Sequence, residues 1–131
     1  MSAIRLAAAC AAQYPNYRFI PVYYIGSEDH DWDELNHTRV NGRKIQSQTQ
    51  SSGAVGRMHL EDAESLFNEI QEAIRGAAFE SETMELLRRA YSEKTTLAQA
   101  TQQLFHDLFG THGLVVLNPD DHALKVSFVN I

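Results

Sequence analysis

Arg18-Phe19-Ile20-Pro21-Val22-Tyr23-Tyr24-Ile25 is the stretch on which the fold turns. From Phe19 onward it is apolar, aromatic and β-branched, with no polar alternation. That pattern predicts a strand covered on both faces, and such strands belong to parallel sheets flanked by helices. Pro21 removes one ladder donor, so the strand is expected at an edge or beginning effectively at Val22. A second uninterrupted apolar run, Gly113-Leu114-Val115-Val116-Leu117, closes in the turn Asn118-Pro119-Asp120-Asp121. Two such strands joined through helices predict a parallel pair with a right-handed crossover, and hence an α/β fold.

Ser2 caps an Ala-rich helix running to about Gln13, which Tyr14-Pro15 ends. Cys10 lies in this helix and reads as a small buried core residue. The start resembles a signal peptide only superficially: its apolar run is short, no cleavage site follows, and a strand comes next. Gly26-Ser27 breaks the first strand, and the acidic stretch after it predicts a helix N-terminus. Asn41-Gly42 predicts a type I′ hairpin turn. Residues 46–56 are polar and glycine-containing, a loop with room to move. Three helices follow: one carrying Ala63, Leu66, Phe67 and Ile70, one opening at Ser81, and one opened by the capping box Thr96-Leu97-Ala98-Gln99 and ended by Gly110.

The chain of 131 residues predicts one α/β domain, with residues 37–110 as a hairpin and helical insertion on the crossover. Its ends read as cuts, because it opens inside a helix and closes on Leu124–Ile131 with neither cap nor polar tail. Hydrophobic residues make up 44% and charged residues 21%, an ordinary globular composition. The net charge of −6 and 11 scattered basic residues argue against a nucleic-acid surface. No apolar run is long enough to span a bilayer. A single cysteine allows no internal disulfide, which fits a reducing cytoplasm.

Ser27-Glu28-Asp29-His30-Asp31-Trp32-Asp33-Glu34-Leu35-Asn36-His37 is the densest cluster of functional groups. It lies where a buried strand passes into a helix, and open α/β sheets bind ligands at the carboxyl ends of their strands. On a helix His30 would face Glu34, and Asp33 would face His37. Three readings stand side by side: a well-capped acidic helix start, a site for a polar small molecule with Asp29 and His30 as acid, base or hydrogen-bonding groups, and a metal site on His30, His37 and a carboxylate. The five carboxylates between Glu28 and Glu34 would repel a bare phosphate unless Arg39, Arg43 or Arg57 folds back over them. Ser51–Arg57 could wrap an anion, but reads first as a plain loop. If the strands are parallel, Asn118-Pro119-Asp120-Asp121 falls on the same sheet edge as the acidic cluster.

The run from Phe19 to His37 resembles the strand-plus-acidic motif of the BshC cysteine ligases, which act last in bacillithiol synthesis. The resemblance continues through Ser52-Gly53-Ala54-Val55-Gly56-Arg57, Thr96–Ala100 and Leu108–Asp121, and so covers essentially the whole chain in order. It implies a Rossmann-like core related to nucleotidylyl transferases and a reaction joining cysteine to glucosaminyl-malate in the cytoplasm. It leaves the activating cofactor open, with ATP or ADP the candidate, and implies a homodimeric parent enzyme.

By that resemblance Asp29, His30 and Asp31 are the catalytic candidates. Ser27, Glu28, Glu34, Asn36, His37, Asn118 and Asp120 are the substrate-binding candidates, and no metal ligand is assigned. Asp29 would hold an amine or hydroxyl, His30 would act as acid or base, and Asn36 and His37 would orient the others. Family members are several times longer, and their glycine-rich TGQQ-like strand segment is absent here. The expectation is therefore a partial Rossmann-like sheet with little or no ligase activity by itself. The alternative, from a different class, is a small module that holds a metal or cationic ligand on the acidic histidine cluster.

Overall fold

A computed structural model describes residues 2–50, 53–92 and 94–129. It contains helix α1 (Ser2–Gln13), strand β1 (Val22–Tyr24), the single turn α2 (Trp32–Leu35), and strands β2 (His37–Val40) and β3 (Arg43–Gln46). Helices α3 (Ala63–Ala73), α4 (Glu80–Ala90) and α5 (Leu97–Phe109) follow, then β4 (Val115–Leu117) and α6 (His122–Val129). Strands β1 and β4 pair in parallel, with Val22 opposite Val115 and Tyr24 opposite Leu117. The α/β class and the parallel pair are as the sequence predicts, and the first strand begins at Val22, beyond Pro21.

The covering of that pair differs from expectation. Helix α5 lies on one face, where the Tyr23 and Phe105 rings stack with centroids 4.2 Å apart. On the other face Val22, Tyr24 and Val115 remain 48%, 62% and 46% exposed. Apolar strand faces record the burial a sheet requires, but among the described residues only one helical layer is present to supply it. Helix α1 likewise has no buried residue, so Cys10 is half-buried rather than a core residue.

The packed part of the molecule is built by the residues that lie between β1 and β4 along the chain. Strands β2 and β3 form the hairpin, with Asn41 and Gly42 at φ values of 48° and 83°, as a type I′ turn requires. Trp32, Val55 and Met58 form one cluster, and Ala63, Phe67 and Met84 a second, with Leu60 packed against both. Thr96 caps α5, and its capping box with Gln99 is closed in both directions.

Residues 47–50 are pinned rather than free. Asp62 accepts hydrogen bonds from Ser47 Oγ at 2.7 Å, Thr49 Oγ1 at 3.0 Å and the Gln48 amide at 2.6 Å. The Trp32 indole donates to the Thr49 carbonyl at 2.8 Å. Burial raises the Asp62 pKa, but these hydrogen bonds outweigh it and hold the carboxyl below its ordinary value. The segment from Leu124 onward, which the sequence left without an assigned element, belongs to α6 as far as Val129; Asn130 and Ile131 lie outside the described residues.

Candidate functional site

Three chain segments meet at the carboxyl ends of β1 and β4. The first is the turn Gly26-Ser27-Glu28-Asp29, continuing from β1 through Ile25, whose amide donates to the Leu117 carbonyl at 3.0 Å. The second is Asn118–Asp121, which follows β4. The third is the tight helical turn Val55–Arg57. Ser27, 1% exposed, donates its hydroxyl to Asn118 Oδ1 at 2.7 Å and so ties the first to the second. The third is stapled to the first by Val55 N to Asp29 O at 2.8 Å and Gly56 N to Ser27 O at 3.0 Å. A Cβ on Gly56 would lie 2.6 Å from both Ser27 Cα and Ser27 O, and nearer still to Ser27 Cβ, so only glycine fits.

The ring is closed by charge. Arg57 donates to Asp120 through Nε at 2.6 Å and Nη2 at 2.7 Å. Lys125, from α6, reaches Asp120 and Glu28, each at 2.7 Å. Asp120 thereby holds its pKa well below the carboxylate range, through Arg57 first and Lys125 second. Its hydrogen bonds and charge raise the Arg57 pKa, and Asp120 followed by Glu28 raises that of Lys125.

The acidic stretch is arranged differently from a helical face. Only one turn, Trp32–Leu35, is helical, so His30 precedes the helix and His37 begins β2. The expected pairings of His30 with Glu34 and of Asp33 with His37 therefore do not form, because the helix is too short to carry them. Asp29 Oδ1 accepts from the amides of His30 at 2.7 Å and Asp31 at 3.1 Å, and Asp31 caps α2 by accepting from the Glu34 amide at 3.2 Å. His30 is exposed, and its ring has no hydrogen-bond partner among the described residues. Among the described residues no three His, Cys, Asp or Glu side chains converge where they could hold a metal ion.

Asn36 and His37 sit elsewhere. His37 Nδ1 lies 3.2 Å from Asn36 Oδ1, which also accepts from Gln46 Nε2 at 3.3 Å. Both line a cavity of about 410 Å³ between the hairpin and helices α3–α5, walled by Trp32, Ile45, Phe67 and Leu97.

The predicted substrate-binding residues therefore divide. Ser27, Glu28, Asn118 and Asp120 meet at the strand ends. Asn36 and His37 belong to the apolar cavity, and Glu34 lies exposed on α2. Sequence reasoning offered Arg57 as a cation that could fold back over the acidic cluster but assigned it no site role, and it left Lys125 and Gly56 out of the site. The signal for Arg57 was present, a glycine directly before an arginine in a polar loop; for Lys125 no local pattern pointed to it.

The model of the family described as "Bacillithiol biosynthesis BshC, N-terminal Rossmann-like domain" matches residues 1–131. A Flavobacterium psychrophilum protein named "Putative cysteine ligase BshC" is 37% identical over 130 residues, covering 98% of this chain and 24% of that protein. Proteins of the same name from Flavobacterium johnsoniae and Cytophaga hutchinsonii are each 35% identical, covering 98% and 100% of the chain and 24% and 23% of their own lengths. The chain thus spans about a quarter of the length of these relatives. With the parallel pair and the ordered acidic motif already in place, these matches show that the chain belongs to the BshC family, the match falling on its N-terminal Rossmann-like domain.

Proposed function

We propose that this chain forms the strand-end wall of the catalytic cleft in a cytoplasmic ligase that joins cysteine to glucosaminyl-malate, and that it is inactive alone. The observation that carries the reading is the hydrogen bond from Ser27 to Asn118, which joins the turns after two parallel strands where α/β sheets bind ligands. The names of the relatives supply a cysteine ligase and the family description supplies bacillithiol biosynthesis, while glucosaminyl-malate as the acceptor is what the resemblance of the Phe19–His37 run implies. Residues 37–110 are the insertion that lies between those strands, and the parent enzyme acts as a homodimer on small-molecule substrates.

In this reading His30 is the acid or base, since its exposed ring is uncommitted among the described residues and can reach a bound ligand. Asp29, with one oxygen fixed by two backbone amides, offers the other to a substrate amine or hydroxyl. Asp31 holds the turn in shape as the cap of α2, and Ser27 positions Asn118. Glu34 lies exposed farther along the same segment, and Asn36 and His37 line the separate apolar cavity, outside the strand-end site.

A chimera tests this. The matching segment of the Flavobacterium psychrophilum relative is replaced by this chain, and product from cysteine and glucosaminyl-malate is measured by mass spectrometry with and without ATP. The chimera is expected to turn over and the 131-residue chain alone to give no product. His30→Ala should reduce chimera turnover about 100-fold or more without shifting its thermal unfolding. Turnover by the isolated chain, or a fully active His30→Ala chimera, contradicts the proposal.

A further inference from the structure

The two hydrogen bonds from Arg57 to Asp120 use one edge of the guanidinium, the Nε–Nη2 side. Guanidinium carries five donors in a rigid plane, and the pair of N–H groups at its far end, one on each Nη, remains uncommitted among the described residues. The Arg57 side chain is 66% exposed. Its plane is nevertheless fixed, because Asp120 cannot turn away: Oδ1 also takes Lys125, and the Asp120 amide donates to Asn118 Oδ1 at 3.1 Å. The backbone beneath is fixed as well, through Gly56 N to Ser27 O and Arg57 N to Ala54 O, both 3.0 Å.

From this geometry we propose that Arg57 is an anion-recognition residue of the strand-end site, presenting its free fork to a carboxylate or phosphate of the ligand, with Lys125 as the second donor beside it. This rests on the strand ends being the ligand site. A latch that only held the Val55–Arg57 turn against Asp120 would need one edge of the guanidinium. The second edge is the one that matches a planar or tetrahedral oxyanion through two parallel hydrogen bonds. Lys125 divides between Asp120 and Glu28 and has a third donor to give. The two cations are balanced by Asp120 and Glu28, so the attraction is directional rather than a broad positive field. That favours one small anionic group over a polyanion.

Calorimetric titration of the 131-residue chain at constant ionic strength tests the assignment, with sodium succinate and inorganic phosphate as separate probes. Amide shifts of Ser27, Gly56 and Asn118 are recorded in parallel. At least one probe should bind and move those amides; succinate alone identifies a carboxylate ligand, phosphate alone a phosphoryl ligand, and both the shared chemistry. Arg57→Lys keeps the charge but removes the fork, and should weaken binding about tenfold or more, the worth of one charge-assisted hydrogen bond. Arg57→Gln should weaken it further, with melting temperatures of both variants near that of the unsubstituted chain. Undiminished affinity in both variants, with the amide shifts retained, overturns the role of Arg57 and leaves the strand-end site standing. Loss of affinity matched by loss of thermal stability makes Arg57 a latch only and also overturns it. No binding and no shifts in the unsubstituted chain overturn both the role and the site.

Discussion

Gly56→Ala is the substitution that should damage the strand-end assembly most sharply for its size. The added methyl would sit 2.6 Å from the α-carbon and carbonyl oxygen of Ser27, both backbone atoms that cannot swing aside. Relief requires the Val55–Arg57 turn to retreat from the Ser27 turn. That movement lengthens Val55 N to Asp29 O and Gly56 N to Ser27 O, each worth about 0.5–1.5 kcal/mol. Overpacking of this kind costs about 1–3 kcal/mol by itself, so the expected destabilisation is about 2–4 kcal/mol. Urea unfolding followed by Trp32 fluorescence measures it, since Trp32 packs directly against Val55. Gly26→Ala is the matched control: it lies next to Ser27, has no atom within 4 Å of the added carbon, and should change stability by less than about 0.5 kcal/mol. Equal effects of the two substitutions would refute the close approach on which the three-segment assembly depends.

Trp32→Phe removes the indole donor to the Thr49 carbonyl and leaves that buried acceptor unpaired, at a cost of about 1–3 kcal/mol in urea unfolding followed by circular dichroism. Asp62 has a lowered pKa in the folded chain, so its contribution is complete above its unfolded value near about 4 and is lost as pH falls through the folded value. Melting temperature measured against pH should therefore fall more steeply below about pH 4 for the unsubstituted chain than for Asp62→Asn. Thr96→Ala opens the capping box and should cost about 1 kcal/mol, with fraying of the first turn of α5 visible as faster amide exchange at Leu97–Gln99.

The parts of the fold that were legible in the sequence are those set by local chemistry. Pro21 placed the start of β1, Asn41-Gly42 set the hairpin turn, and Thr96 with Gln99 marked the start of α5. Long-range effects were not legible. The 46–56 loop looked mobile because its polar residues carry no periodicity, yet Asp62, more than ten positions away, collects three of its donors. Helix α2 looked longer because acidic residues favour a helix start, whereas His37 is drawn into the ladder opposite Gln46. The apolar faces of β1 and β4 were read correctly as apolar, but covering is a property of neighbours, and a strand sequence does not show which of them are present.

The site was half legible for the same reason. Strand polarity was enough to bring Asn118 and Asp120 to Ser27 and Glu28. Whether Arg57 folded back over the acidic cluster depended on a backbone contact at Gly56 that only the three-dimensional structure displays. His37 was expected to face Asp33 because both were placed on one helix, and that helix stops after a single turn.

In the proposed reading the turns after β1 and β4 and the Val55–Arg57 turn form one ligand site. Amide chemical-shift mapping of the chain titrated with L-cysteine tests it most directly. Coincident saturating shifts are expected at Ser27, Asp29, Gly56 and Asn118, with Ile45 and Phe67 in the apolar cavity unmoved. Shifts confined to Ile45 and Phe67, or none at the strand ends, would contradict it.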